Sequence, residues 1–275
     1  MTAAGTNSYL LGQGSVTVID PGPDSPAHLQ ALLQALDPGE RITHVLVTHS
    51  HADHSPLSRA LSRATGAPVL ALGDSLAGRS ARMHALADAG DIGGGEGVDA
   101  AFAPDYAVAD GEVLQLGRET VTALWTPGHF GNHMCFLWQG CAFSGDHVMG
   151  WASSLVSPPD GDLTDFMRSL DRLEEARPGV LYPGHGAPVS DGPARIRELR
   201  QHRLMREAQI LDALRDGPTD SATLARRIYR DTPAALMPAA ARNVLAHLLD
   251  LRARQRVISP SPPGRYTRFQ LAPAP

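Results

Sequence analysis

His49-Ser50-His51-Ala52-Asp53-His54 follows the apolar run Ile42-Thr43-His44-Val45-Leu46-Val47-Thr48. The run reads as a buried strand. Three imidazoles and a carboxylate within six residues make a poor strand and a poor core, but they are ligands that Zn²⁺, Fe²⁺ and Mn²⁺ accept. Alternation along an extended segment sends His49, His51 and Asp53 to one side, and the turn that ends it can swing His54 to a second centre. The spacing therefore points to two metals rather than one.

Working outward, Ser8–Leu11 and Ser15–Ile19 form a hairpin around Gly12-Gln13-Gly14, closed by the turn Asp20-Pro21-Gly22-Pro23. Residues 26–36 place leucines at helical spacing, 57–65 is a second helix, and 68–72 is a further strand. This β-α-β-α-β order, with the motif on the loop after a strand, predicts a layered α/β fold whose ligands gather outside the strand ends. Residues 73–104 are less regular. Their glycine-rich stretch Gly90–Gly97 lacks both the GxGxxG and the GK[ST] patterns of nucleotide sites and reads as a mobile loop beside the site. Short strands resume at 105–108, 112–116, 120–125, 134–138 and 141–144. A helix at 163–176 and a strand at 180–182 follow.

From Arg195 the pattern changes to arginine-rich helices at 195–215, 221–229 and 234–254, with an extended end at 266–271. The chain has 275 residues and no lysine, and all 24 basic residues are arginine. Residues 195–275 hold 15 arginines against 7 acids, whereas residues 1–194 carry a net charge of −13. Such asymmetry predicts two units with different surfaces, 1–194 and 195–275. The positive unit has the charge to attract RNA, DNA or the phosphates of coenzyme A, but lacks the aromatic run of a single-strand reader.

No stretch approaches the roughly 18 apolar residues of a membrane span, and no basic region followed by an apolar run and a cleavage site opens the chain. A cytoplasmic location without membrane partners is expected. Cys135 and Cys141 flank the turn at Gln139-Gly140 and read as two reduced thiols, though a hairpin would let them face each other. The sequence specifies no oligomeric state.

Three more motifs lie at predicted strand ends: Thr126-Pro127-Gly128-His129, Ser144-Gly145-Asp146-His147 and Pro183-Gly184-His185-Gly186. Each puts a ligand-type side chain on a glycine-bearing turn, where backbone approaches a buried ion closely. With these motifs the sequence resembles the metallo-β-lactamase superfamily over about residues 5–190. That resemblance implies an αββα sandwich with a two-metal site at one edge of the sheets. It also implies that His49, His51 and His129 bind the first metal, that Asp53, His54 and His185 bind the second, and that Asp146 bridges both. The cofactor expected is two Zn²⁺ per chain, with iron or manganese able to use the same donors. An aspartate at 146, rather than cysteine or serine, looks like the lactonase, thioesterase and nuclease branches instead of the dedicated β-lactamases.

The segment Ile228–Pro233, then Ala239–Leu251, is similar to the C-terminal winged-helix-like domain of the lactamase-like protein 2 group. Phe130 departs from that group's usual threonine, and Ser55-Pro56-Leu57 from its usual glycines, so the resemblance carries no substrate specificity.

The expectation is a binuclear hydrolase that uses a metal-bridging hydroxide on a small acyl substrate such as a thioester, lactone or related ester. Asp53 is the candidate catalytic residue, orienting the hydroxide and returning its proton. A single-strand endoribonuclease is the first alternative, and weak β-lactamase activity the second. Asp20, Phe130, His133 and His147 are candidates for substrate contact or for supporting the ligands; His133 in particular is a candidate contact from the rim.

Overall fold

The computed structural model describes residues 5–260 and 262–273. Its first sheet places β1 (Tyr9–Leu11), β2 (Ser15–Ile19), β3 (Arg41–Leu46), β4 (Val69–Ala71) and β5 (Tyr106–Ala107) side by side in that order. β1 and β2 are an antiparallel hairpin, while β2 to β5 run parallel. The crossovers within the parallel part include α1 (Pro26–Gln34) and α2 (Leu57–Thr65). Ser25 caps α1, accepting a hydrogen bond from His28 N with Pro26 in the first turn.

The second sheet has the order β10-β9-β8-β7-β6, built from β6 (Val113–Leu116), β7 (Glu119–Trp125), β8 (Met134–Trp138), β9 (Cys141–Gly145) and β10 (Val180–Pro183). β6 to β9 form an antiparallel meander, and β10 returns parallel to β9 after α4 (Leu163–Ala176). The C-terminal ends of β7, β9 and β10 therefore lie together.

Leu46 and Leu70 of the first sheet meet Val121, Met134 and Phe136 of the second in one buried layer. Outside the first sheet, Val18, Val45 and Val69 pack on Leu32, Leu57 and Leu61. Outside the second, Cys135, Ala142 and Leu181 pack on Phe166, Leu170 and Leu173. Both faces of the central strands are covered, so β8 reads as the continuous run Met-Cys-Phe-Leu-Trp rather than an alternation. Each fully buried leucine in these layers contributes about 1.5–3 kcal/mol. The result is the αββα sandwich that the resemblance implied.

Cys135 and Cys141 are both free thiols. The register pairs Trp138 with Cys141 and Phe136 with Phe143, so the two cysteines do not face each other across the hairpin.

The C-terminal unit contains α5 (Gly192–Ala213), α6 (Ser221–Ile228) and α7 (Met237–Ala253), closed by the antiparallel ribbon of β11 (Val257–Ile258) and β12 (Gln270–Leu271). Its core gathers Ile210, Leu224, Val244, Leu248 and Phe269. The segment 73–104 is more ordered than its sequence suggests. It contains α3 (Ala81–Asp88), whose Met83 and Leu86 enter that same core together with Ile92. Asp162, the cap of α4, also accepts hydrogen bonds from Ser80 Oγ at 2.9 Å and Arg82 Nη2 at 2.5 Å, which ties α3 to the sandwich. The glycine-rich stretch is fastened at two points: Ile92 O accepts from Arg242 Nη1 at 2.6 Å, and Gly95 N donates to Asp160 Oδ2 at 2.6 Å. No described helix is long and apolar enough to cross a membrane.

Candidate metal centre

The four motifs meet at one end of the sandwich, each on the turn that leaves β3, β7, β9 or β10. The loop after β3 is clamped from outside. Ser50 N donates to Asn132 Oδ1 at 3.3 Å, Asp99 N donates to Ser50 O at 2.9 Å, and Ala52 N donates to Gly97 O at 2.8 Å. Two glycines let backbone reach the centre. A Cβ on Gly184 would lie 2.5 Å from Asp146 Oδ1 and 2.6 Å from His54 Cε1. One on Gly128, at φ +140°, would lie 2.3 Å from Phe166 Cα.

His51 Nδ1 lies 2.9 Å from His49 Nε2 and 3.1 Å from His129 Nε2. Zinc–nitrogen bonds of about 2.0–2.1 Å in a tetrahedron set neighbouring donors about 3.3 Å apart, so these three nitrogens are spaced as one cation's ligands. A second group faces them. His185 Nε2 is 3.2 Å from Asp53 Oδ2 and 3.3 Å from His54 Nε2. Asp146 lies between the groups: Oδ2 is 3.3 Å from His185 Nε2 and 3.8 Å from His129 Nε2, and Oδ1 is 3.5 Å from His54 Nε2.

The far side of each ring decides where its proton sits. His129 Nδ1 donates to Leu155 O at 2.7 Å, and His185 Nδ1 donates to Gly5 O at 2.9 Å, because a carbonyl can only accept. His54 Nδ1 donates to Asp20 Oδ2 at 2.9 Å. Thr48 Oγ1 donates to Asp20 Oδ2 at 2.7 Å and so accepts from His49 Nδ1 at 3.0 Å. In all four rings Nδ1 is committed to an outer acceptor and Nε2 points toward the centre, the nitrogen a metal would take in place of a proton. Asp146 Oδ1 is buried and has no hydrogen-bond partner among the described residues. Converging lone pairs and an unpartnered buried carboxylate oxygen fit a pair of divalent cations.

The family described as Metallo-beta-lactamase superfamily matches residues 1–185. The chain belongs to the metallo-beta-lactamase superfamily. The beta-lactamase associated winged helix domain matches residues 221–262. The chain is 33% identical over 219 residues to the lactamase-like protein adaB of Aspergillus niger, covering 78% of this chain and 60% of that one. It is 31% identical over 262 residues to the beta-lactamase-like protein 2 homolog of Drosophila melanogaster, covering 91% and 83%. With the atrochrysone carboxyl ACP thioesterase of Aspergillus chevalieri it shares 32% over 216 residues, covering 77% and 61%. The chain thus spans about three fifths of the length of these fungal relatives. Among solved structures, a metallo-beta-lactamase family protein from Thermus thermophilus superposes with a TM-score of 0.75 at 28% identity, over 97% of this chain and 93% of that one.

Within this metallo-beta-lactamase frame, electrostatics keep donors and acids in complementary states. Burial, then the charge of neighbouring imidazoles, holds His49 well below its ordinary pKa and His51 at about 3. Burial alone would raise Asp53, but the hydrogen bond from His185 and the charge of His54 bring it down to about 2. His185 is pulled down by burial, yet Asp146 and Asp53 outweigh that and push it up to about 10. Burial also works against Asp146, and His54 and His185 overcome it to hold its carboxyl low.

Asp20 touches the ligands rather than its own turn, taking Thr48 N at 2.7 Å as well as His54. The rim position considered for His133 is not observed: its ring is fully buried behind His49 and bonds Thr126 Oγ1 at 2.9 Å. Phe130 is also buried and lies edge-on to His51, 4.8 Å between centroids, so it backs the ligand instead of forming the rim. His147 packs on Phe166, and neither of its ring nitrogens has a hydrogen-bond partner among the described residues.

Over the centre opens a cavity of about 510 Å³, floored by His51, Asp53, Asp146 and His185 and walled by Met149, Trp151, Leu155 and Leu236. Leu236 comes from the winged-helix unit, and sequence reasoning attached none of these walls to the site. It also missed Asn132, Asp99 and the carbonyls of Leu155 and Gly5. A backbone acceptor has no residue type to announce it.

Helices α5 and α7 reach the centre from below as well. Arg203 is buried, donating from Nη2 to Ser154 O and from Nη1 to Asn243 Oδ1 at 3.0 Å, and its guanidinium lies 4.9 Å over the Phe166 ring. Asn243 Oδ1 accepts from Val156 N at 3.0 Å. Residues 154 and 156 flank Leu155, whose carbonyl holds His129.

Proposed function

We propose that the chain is a binuclear metal-dependent hydrolase that acts on a small acyl substrate carrying a thioester, lactone or related ester. The observation that carries this reading is the set of four imidazoles fixed through Nδ1, with Nε2 directed into the cluster that holds Asp53 and Asp146. His49, His51 and His129 would hold one metal and Asp53, His54 and His185 the other, with Asp146 between them. Zinc suits the nitrogen-rich donor set, and iron or manganese takes the same donors. When bound, the two cations supply a nucleophilic hydroxide near neutral pH and draw negative charge from the substrate oxygen.

The protein's own part is positional. Asp53, 32% exposed against 11% for Asp146, is the acid open to the cavity. It orients the attacking water and returns its proton to the leaving group. Met149, Trp151, Leu155 and Leu236 exclude water around the acyl chain. An apolar cavity of this size suits an acyl substrate better than the long basic groove that RNA requires. The thioesterase among the relatives supports the same substrate class.

We divide the labour at residue 194, with the chemistry and most of the cavity wall on 1–194 and Leu236 added to that wall by 195–275. Metal analysis of the purified protein, followed by a panel of thioesters and lactones with and without chelator, tests the reading. Two metals per chain and chelator-sensitive hydrolysis are expected. Metal-replete protein that cleaves labelled RNA but no acyl substrate would replace the reading with the nuclease one.

A further inference from the structure

The cavity over the metal centre does not end at its walls. It shares His51, Glu96, His129 and Leu155 with a narrower cavity of about 220 Å³, which runs along Pro238, Ala239 and Arg242 of the winged-helix unit. Pro238 and Arg242 also line a third cavity, of about 330 Å³, lying wholly within that unit. Its other walls include Arg226, Arg265, Tyr266 and Ser221, and none of the described residues lining it is acidic. Three guanidinium groups thus border one concavity that shares two lining residues with the cavity beside the metal centre.

Their charges are not spent on ion pairs. Among the described residues none of Arg226, Arg242 and Arg265 makes a salt bridge, although Arg79, Arg82, Arg172, Arg200 and Arg254 all do. Arg226 donates only to Thr223 Oγ1, at 2.9 Å, and is exposed. Arg242 is held by Ile92 O and Ser157 Oγ, and its Nη2 is buried with no hydrogen-bond partner among the described residues. Burial, and then repulsion from Arg265, works against the charge on Arg242, while Glu96 and Asp160 favour it. Glu96 and Asp160 act on Arg242, whereas Arg226 and Arg265 are exposed and have no salt-bridge partner among the described residues, so an anion that enters meets two solvent-facing guanidinium groups beside a third, buried one. Planar guanidinium forks match phosphate oxygens in particular.

We propose that Arg226, Arg242 and Arg265 form a phosphate-binding pocket that holds the phosphorylated end of a pantetheine-type arm, with the acyl thioester at its other end lying over the metal centre. This inference rests on the acyl-hydrolase reading for the thioester end. A slender arm with an anionic terminus is the ligand that would use three cavities sharing walls from one to the next, and a compact ester or a lactone would leave two of them empty.

The test compares hexanoyl-4′-phosphopantetheine with hexanoyl-pantetheine, which differ only by the phosphate. Wild type should show a KM at least about tenfold lower for the phosphorylated member, since one charge-assisted contact is worth about that much. In the exposed double variant Arg226→Gln/Arg265→Gln the ratio should fall to about one. Arg230→Gln removes a charge from the same unit but not from the pocket, and should keep the wild-type ratio. Equal KM values in wild type, or the same collapse in Arg230→Gln, would overturn the pocket.

Hexanoyl-coenzyme A run alongside separates the sources. A KM as low as that of the phosphopantetheine substrate marks the free coenzyme, and a higher one marks an arm attached to a carrier. Binding of the inert thioether S-methyl-4′-phosphopantetheine, followed by calorimetry, needs no turnover. If it binds wild type at least about tenfold more tightly than the double variant while no thioester is cleaved, the pocket stands and the acyl-hydrolase reading falls. If neither protein binds it but both bind a short single-stranded RNA, the pocket is not a phosphopantetheine site.

Discussion

Oδ2 of Asp20 accepts the Nδ1 proton of His54 at 2.9 Å, and so fixes which nitrogen of that ring faces Asp53 and Asp146. Asp20→Asn is nearly isosteric but can turn its amide N–H₂ toward the ring, which moves the ring proton to Nε2 and blocks ligation. Removing such a partner commonly costs 10–100-fold in metal affinity. A competitive chelator titration should show a loss of about that size for the more weakly held metal. Unchanged affinity for both metals would remove Asp20 from the centre.

Asp53 has one role in holding a metal and one in moving a proton. Asp53→Ala should abolish turnover and also weaken the second metal. Raising the metal concentration until two ions per chain are bound separates the roles, because turnover should stay lost. Full activity in that metal-replete sample would sink the catalytic assignment.

Arg203 tests whether α5 supports the chemistry. Arg203→Met keeps the apolar stem but leaves Ser154 O without its donor, so a stability loss of about 1–3 kcal/mol is expected. If the segment at 154–156 positions His129, kcat should also fall while KM for a short substrate changes little. A variant that melts lower yet keeps the wild-type kcat would confine Arg203 to structure.

His247 gives the winged-helix unit a pH dependence of its own. Burial, followed by the charges of Arg203, His202, Arg254 and Arg206, keeps its folded pKa well below the ordinary value of 6.5. The unfolded chain takes up a proton below about pH 6.5 that the folded chain refuses. Stability should therefore fall with falling pH from that point, by at most about 1.4 kcal/mol per unit for this group, and be unaffected by it above. His247→Leu should flatten the slope of melting temperature between pH 7 and 5.5. An unchanged slope would show that other groups carry the acid sensitivity.

Much of the centre was legible because metal ligation needs particular side chains. Histidines and aspartates at 49, 51, 53, 54, 129, 146 and 185 cannot be mistaken for core, and the structure brings all of them together. Helices with a strong apolar stripe were legible too, with 57–65 and 163–176 observed at their expected bounds. The segment Ala81–Asp88 was not, because its two buried residues, Met83 and Leu86, are too few to establish a period. Val257-Ile258 is too short to announce a strand, and only its pairing with Gln270-Leu271 makes it one. Phe130 and His133 lie in the same motif as His129, yet the turn buries them behind the ligands. Sequence gives spacing along the chain, but not which side of a turn faces solvent.

One helix carries two cores. Ile196 and Leu199 near the start of α5 pack under the second sheet, while Ile210 near its end lies in the winged-helix core. The chain has no slack at this point, so the two units have no separate existence to return to. A cut at residue 194 would strip Leu181 and Phe166 of neighbours on one side and leave half a helix without a floor on the other. Each fragment would carry a fresh adhesive face matched only by its lost counterpart. Mixed together, such fragments should reassociate rather than persist alone.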